Sequence, residues 1–262
     1  MQLLFFTSLL AVGTNAHGVL LQVIGANGVT APGACVLDGT PRNCIRNACG
    51  AQADTAIIRD EEIRTFKHGP LGWTQGGGDC KPDAVIGEYM GLGQAPRYAG
   101  GRDPTGKADY QVETIVGESA GKGKTDGLPT TNDNGELDLV YRQIDEDGTG
   151  PVEATVDSTS AGTDYKAFKQ VQVLTQVPDG RSVSPSLTTN TNFNIKIKLS
   201  EDTVCQGEVA GLNNVCFVRI RNNAPAGPFG GAGFFTQSDG ARKRAIAYRM
   251  KKRMDEGQED VE

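Results

Sequence analysis

The sequence predicts a mainly β protein, an antiparallel β-sandwich with long loops stapled by disulfide bonds. Three observations lead to this fold class. Apolar and polar residues alternate in many short runs, which is the period of a half-buried strand. The chain contains 35 Gly and 12 Pro, which favour turns over long helices. Six cysteines, an even number, follow an apolar leader typical of exported chains, whose thiols oxidise to disulfides.

The predicted strands follow one another along most of the chain. The run "NIKIKL" is the clearest, because Ile195, Ile197 and Leu199 fall on one face and the lysines on the other. One short helix is predicted over residues 54–64, with Asp54 as its N-cap. The strands are predicted at residues 19–25, 110–117, 136–144, 152–157, 168–177, 193–199, 215–221 and 233–237.

Residues 1–16 have the features of a secretory signal peptide. Residues 3–12 are almost wholly apolar but too short to span a bilayer, and Thr14 and Ala16 occupy the small-residue positions of a signal-peptidase site. Cleavage after Ala16 makes His17 the mature N-terminus. Later apolar runs are shorter and interrupted, so we expect a secreted protein without a membrane span; retention inside the producing cell stays open.

The charge pattern divides the mature chain into a domain and a tail. We expect one β-sandwich domain over residues 17–240, because no repeat or composition break interrupts it. Residues 241–262 form a charged flexible tail, with seven Lys or Arg followed by five acidic residues. The remainder of the chain has a net charge of −8, which argues against nucleic acid as its partner.

The cysteine spacing predicts one disulfide directly. Cys205 and Cys216 flank a Gly-rich turn between strand-like runs, so a hairpin would bring them together. The remaining four, Cys35, Cys44, Cys49 and Cys80, then pair among themselves in an order that the sequence leaves open.

The two histidines suggest a copper site. As the mature N-terminus, His17 offers an α-amine and an imidazole nitrogen, and His68 offers a second imidazole. Three nitrogens in a T shape suit tetragonal Cu(II). An incidental arrangement is the alternative.

Two other motifs carry no site: "GESAGKGKT" departs from a phosphate-binding loop, and "IDEDGTGPVE" at 144–153 is interpreted as a hairpin turn because Gly148 is misplaced for a calcium loop.

Long segments of the chain resemble the Egh-type appressorial virulence proteins of filamentous fungal pathogens. The matching segments are "HGVLLQVIGANG" at 17–28, "DEDGTGPVEATVDSTSAGTDY" at 145–165 and "VCFVRIRNNAPAGPFGGAGFFTQS" at 215–238. The resemblance covers nearly the whole mature chain and ends at the charged tail. It implies a secreted virulence factor that acts during appressorium-mediated host penetration.

A more distant resemblance is to the lytic polysaccharide monooxygenases, which begin with a copper-binding histidine and have an immunoglobulin-like sandwich. It implies that copper is the cofactor, with His17 and His68 as ligands, Phe235 in the axial position and Gln237 as a catalytic hydrogen-bonding partner for bound oxygen species. The reaction implied is oxidative cleavage of a polysaccharide.

Two functional classes therefore stay open. One is the copper enzyme, and the other is a non-catalytic secreted protein that binds a host or cell-wall component. Both are expected to be monomeric and to meet a polysaccharide or another wall component. Tyr89, Tyr98 and Tyr110 are candidate contacts for it, although each could equally pack inward.

Overall fold

A computed structural model describes residues 17–93, 110–145, 150–178 and 190–259. Within these residues twelve strands form one continuous sheet, and all pairings between the strands are antiparallel. The strands are β1 Gly18–Ile24, β2 Thr30–Pro32, β3 Ala56–Ile57, β4 Trp73–Thr74, β5 Gly78–Asp79, β6 Glu136–Gln143, β7 Glu153–Asp157, β8 Phe168–Thr175, β9 Thr191–Lys198, β10 Gly207–Val209, β11 Leu212–Arg221 and β12 Phe229–Phe235.

The sheet folds back on itself to form two facing layers. Its strand order is β2-β1-β6-β9-β8-β7-β11-β12-β3-β4-β5, with β10 paired to β11. Strands β1 and β12 lie far apart in this order but face each other, since a Cβ added to Gly231 would lie 2.8 Å from the Leu20 Cβ. The largest part of the core, which includes Leu20, Tyr141 and Phe235, is buried between the layers. The prediction of a mainly β, sandwich-like fold is confirmed.

Seven of the eight predicted strands are present, with boundaries that differ by a few residues. In β9 the predicted alternation holds, because Ile195 and Ile197 are fully buried in the core while the lysines between them are half-buried. Strand β12 differs from this pattern. All seven of its residues are buried, because β12 pairs with β11 along its length and packs against β1 on one face.

The predicted strand at residues 110–117 is wrong. The segment instead ends in the helix α3, Ile115–Glu118, after a loop that touches Pro41 through one bridge at Val112. The carboxylate of Asp38 accepts hydrogen bonds from the backbone N–H groups of Val116 and Gly117, at 3.0 and 2.7 Å. A distant acidic side chain thus satisfies the free donors of a helical turn and outweighs the local strand propensity.

The helix predicted at residues 54–64 is shorter than expected. The helix α1 covers Asp60–Arg64 only, and Ala56–Ile57 upstream forms β3 beside Phe229. Asp54 does not cap it. Its carboxylate is fully buried and forms an ion pair with Arg42, whose guanidinium also donates to Glu113 at 2.8 Å.

Three disulfides staple the loops. Cys205 pairs with Cys216, as the spacing predicted, and the others are Cys35–Cys80 and Cys44–Cys49. The four upstream cysteines therefore pair among themselves, in the order that the sequence left open. The remaining described helices are α2 Pro82–Tyr89, α4 Gly123–Asp126 and α5 Asp239–Glu259.

The expected tail at residues 241–262 begins as a helix. The first half of α5 rests on the sandwich, where Ala241 and Ala245 are buried and Arg242 donates to the Cys205 carbonyl at 2.6 Å. The residues from Met250 to Glu256 are exposed. None of the helices in the described residues is long and apolar enough to cross a membrane.

Candidate functional site

The start of β1 brings His17 against the end of β6. Gly18 pairs with Gln143 in the antiparallel register, and the Ile144 N–H donates to the His17 carbonyl at 2.9 Å. A Cβ at position 18 would lie 1.9 Å from the Tyr141 hydroxyl, so the glycine after the histidine is required by the packing. This register places Asp145, two residues beyond Gln143, beside the backbone and the ring of His17.

His17 and Asp145 form a buried two-point contact. The backbone N–H of His17 donates to Oδ1 of Asp145 at 2.9 Å, and the ring Nδ1 lies 3.1 Å from Oδ2. Both residues are less than 10% exposed. The Gln52 amide donates to the same Oδ2 at 3.1 Å, and the Gln143 amide donates to the Asp145 backbone carbonyl at 2.7 Å. The carboxylate is therefore oriented from several sides.

The charge of Asp145 also reaches Tyr141 in the core. Burial and, to a smaller extent, the nearby Asp145 charge raise the pKa of the Tyr141 hydroxyl well above its ordinary value. Tyr141 therefore stays neutral at any physiological pH. Within the described part of the chain, no Lys or Arg forms an ion pair with Asp145.

The pair opens onto a cavity of about 550 Å³, which we call the first cavity. The His17 ring packs on Phe229, with the two ring centroids 4.2 Å apart. Arg59 is fixed at the wall by its hydrogen bonds to the carbonyls of Ala226 and Gly227, at 2.7 and 3.0 Å. The lining is otherwise a mixture of apolar, amide and charged side chains: Ile45, Arg46, Asn47, Gln52, Ile57, Gln75, Asp145 and Ala226.

His68 lies in a different cavity of about 570 Å³, which we call the second cavity. Its Nδ1 lies 2.7 Å from Oδ1 of Asp79, and its ring stacks on Trp73 with centroids 4.8 Å apart. The Trp73 indole N–H donates to Glu62 in α1 at 3.1 Å. A carboxylate and an aromatic ring thus hold His68 in place.

The structure does not bring the two histidines together. Phe229, Ile57 and Trp73 are register partners on three neighbouring strands. Two strand spacings, about 10 Å, therefore separate the residue beneath His17 from the residue beneath His68. Instead of the expected His17–His68 pair, the structure contains two separate histidine–aspartate pairs, His17 with Asp145 and His68 with Asp79.

Phe235 and Gln237 also lie away from His17. Phe235 is six residues beyond Phe229 on β12, which corresponds to about 20 Å, and its ring is fully buried in the core. The Gln237 side chain accepts a hydrogen bond from the Cys205 N–H at 2.9 Å and donates to the Thr203 carbonyl at 2.8 Å. Phe229, rather than Phe235, is the phenylalanine that contacts His17.

The donor groups around His17 come from two residues, His17 and Asp145. Across residues 17–93, 110–145, 150–178 and 190–259, no cluster of three or more His, Cys, Asp or Glu side chains is arranged to hold a metal. The set of His17, His68 and Phe235 does not fit a single ion. Around His17 two residues supply three potential donor groups, the His17 nitrogen, its Nδ1 and the Asp145 carboxylate, and these groups are hydrogen-bonded to one another.

The fold and the cavities define a disulfide-stapled β-sandwich with a buried histidine–aspartate pair, and comparison with known proteins shows its family. The chain belongs to the Egh16-like virulence factor family, whose sequence model matches residues 15–230. The chain is similar to the appressoria-specific virulence factor GAS2 of Pyricularia oryzae, with 41% identity over 93% of this chain and 91% of the relative.

A second relative is more distant. The chain is 27% identical to the appressoria-specific virulence factor GAS1 of Pyricularia oryzae, over 90% of this chain and 79% of that protein. No solved structure matches the chain. The family predicted from the sequence is confirmed.

Sequence reasoning missed Asp145 and Gln52. Asp145 stands in the segment interpreted as a plain hairpin turn, and only the β1–β6 register reveals that it faces His17. Of the tyrosines considered as wall contacts, Tyr89 is buried against Phe234, Tyr110 packs beside the apolar cluster around Val19, and Tyr98 lies outside the described residues.

Proposed function

We propose that this virulence factor is secreted, acts during appressorium-mediated penetration, and binds one Cu(II) ion through the amine and the imidazole of His17, with the Asp145 carboxylate as the third ligand. The family and its appressoria-specific relatives support the role in penetration. One observation carries the metal site: the backbone nitrogen and the ring Nδ1 of His17 both lie within 3.1 Å of one carboxylate.

The chemistry of the mature terminus supports copper. Cleavage after Ala16 would convert the His17 amide nitrogen into an amine, whose reference pKa of about 8 allows it to lose a proton and bind a metal. An amine, an imidazole and a carboxylate make up a nitrogen- and oxygen-rich set that suits tetragonal Cu(II). Gln52, which orients Asp145, would support the site from outside.

A comparison of two histidine–aspartate pairs tests this assignment. Copper affinity of the mature protein is measured by competition with a chelator for Asp145→Asn, for His68→Ala and for the matched control Asp79→Asn. We expect Asp145→Asn to weaken binding at least tenfold and the other two variants to bind as the parent does. Equal affinity of Asp145→Asn and the parent would remove Asp145 from the site. If only His68→Ala lost copper affinity, the result would favour the hypothesis that His17 and His68 bind the same ion.

Blocking the amine gives a second test of the same site. One extra residue before His17 replaces the amine by an amide, which binds Cu(II) only after losing a far less acidic proton. We expect the extended protein to lose tight copper binding at neutral pH. Undiminished binding would show that the terminal nitrogen is not a ligand.

Oxidative polysaccharide cleavage stays a prediction of the resemblance to monooxygenases. Copper bound at His17 would supply one-electron redox chemistry with dioxygen or peroxide. Phe235 and Gln237 have no part in this proposal, since Phe229 is the ring that packs on His17. Copper-loaded protein with reductant and peroxide should release oxidised oligosaccharides from a wall polymer, and the extended variant should not. Products from the extended variant would point to free copper.

A further inference from the structure

The second cavity contains an aromatic ring in an unusual setting, Phe66. The ring is 85% exposed, which is the highest value among the large apolar residues of the described chain. Its φ is +58°, in the left-handed region that bulky residues rarely adopt. Strain of this kind persists only where neighbouring contacts hold it, and it is concentrated at functional sites. An exposed ring on strained backbone points to a ligand contact.

The surrounding contacts hold the Phe66 segment firmly. The Phe66 N–H donates to the Ile63 carbonyl at 3.0 Å, which ties it to the end of α1. Glu62 in α1 accepts hydrogen bonds from the Trp73 indole at 3.1 Å and from Lys67 at 3.0 Å. The backbone that carries Phe66 is therefore held in place before binding, so that little backbone entropy is lost when a ligand stacks on the ring.

The polar groups of the second cavity suit a neutral, polyhydroxylated ligand. Asp79 and Asp164 provide acceptors, Lys166 provides a donor, and the Thr163 hydroxyl, which donates to the Ser160 carbonyl at 2.7 Å, can accept. The Asp79 side chain is 39% exposed and keeps acceptor capacity beyond its contact with His68. Asp79, Asp164 and Lys166 together give the rim one negative charge, so a polyanion such as polygalacturonate would be repelled.

We propose that the second cavity binds a β-1,4-linked hexopyranose chain, with a sugar ring stacked on Phe66 and its hydroxyl groups bonded to Asp79 and Asp164. In such a sugar the equatorial hydroxyls leave a flat face of C–H groups, which matches an exposed aromatic ring. Cellulose and chitin share this chemistry. The site shares no residue with the copper site at His17, so either proposal can fail without the other.

Binding of soluble oligosaccharides tests the proposal. Calorimetry measures cellohexaose, chitohexaose and polygalacturonate against the mature protein, Phe66→Ala, Phe66→Gly and the control Leu92→Ala, which changes a residue that is 63% exposed and lies outside the cavity. We expect the parent and Leu92→Ala to bind cellohexaose or chitohexaose, and both Phe66 variants to bind about tenfold more weakly or not at all.

The glycine variant separates binding from folding. Glycine adopts a positive φ without steric cost, so Phe66→Gly should unfold at the same temperature as the parent or higher while losing affinity. Tighter binding of cellohexaose would indicate that the natural ligand comes from the host wall, and tighter binding of chitohexaose would indicate that it comes from the fungal wall. The proposal is overturned if neither hexasaccharide binds, if only polygalacturonate binds, or if both Phe66 variants bind as tightly as the parent.

Discussion

Replacing Asp145 by asparagine in the metal-free mature protein should destabilise it, because the carboxylate faces the N-terminal ammonium that cleavage after Ala16 would create. The two oxygens lie 2.9 and 3.1 Å from the nitrogen atoms of His17, and both residues are buried. Breaking a buried ion pair typically costs about 3 to 5 kcal/mol. The lower end of this range, about 3 kcal/mol, applies here, since asparagine retains an acceptor and Gln52 remains nearby.

Calorimetric unfolding of four proteins measures the effect. They are the parent, Asp145→Asn, a form with one extra N-terminal residue, and the form with both changes. A loss of about 3 kcal/mol corresponds to about 6 to 12 °C in a chain of this length. The two changes should not add, because each removes one half of the same pair. Strictly additive effects, or an unfolding temperature of Asp145→Asn within about 1 °C of the parent, would refute the ion pair.

Three further predictions follow from the packing. Gly18→Ala should lower the free energy of unfolding by about 2 to 3 kcal/mol in denaturant titration, since its Cβ would meet the Tyr141 hydroxyl, and a neutral effect would contradict that contact. Replacing both Cys205 and Cys216 by serine should cost about 2 to 3 kcal/mol through the 11-residue separation that the bridge closes. Burial opposes the charge of Glu62, but hydrogen bonds from Lys67, Trp73 and Arg59 outweigh it and lower its pKa from 4.5 to about 2. This stabilisation, about 1 kcal/mol after solvent screening, is complete above pH 4.5 and lost towards pH 2, so Glu62→Gln should flatten the acid side of the stability curve.

The strands were predictable because their pattern is local. In β9 consecutive residues alternate between apolar and polar, which places the apolar residues on the face towards the core. The register of β9 then follows from its pairing with β6 and β8 on either side. The bridge between Cys205 and Cys216 was predictable for the same reason, since one short hairpin contains both cysteines. Local spacing was sufficient in each case.

The helical and loop segments depended on distant partners. The turn at Ile115–Glu118 is stabilised by Asp38, which lies 78 residues from Val116 in the sequence. Asp54 has the right residue type to cap a helix but is neutralised by Arg42 in a buried ion pair instead. No spacing rule within 54–64 or 110–117 contains this information, because the deciding charges lie outside the segments.

The site was predicted in part. His17 was singled out because a predicted cleavage site precedes it, and the structure buries it beside a carboxylate at a cavity. Its partner Asp145 required the β1–β6 register, which is a tertiary fact. His68 was joined to His17 because both are histidines and the chain has two, but residue type gives no distance, and the residues on which they pack lie two strand spacings apart in the sheet.

Pulsed electron paramagnetic resonance of the copper-loaded mature protein tests the central proposal most directly, because modulation from the remote ring nitrogen counts the imidazoles bound to Cu(II). Binding through the amine and Nδ1 of His17 with the Asp145 carboxylate predicts one imidazole, and the spectrum of His68→Ala should be identical to that of the parent. Two bound imidazoles, reduced to one in His68→Ala, would contradict the assignment of Asp145. A spectrum of solvated copper alone would contradict a copper site at His17.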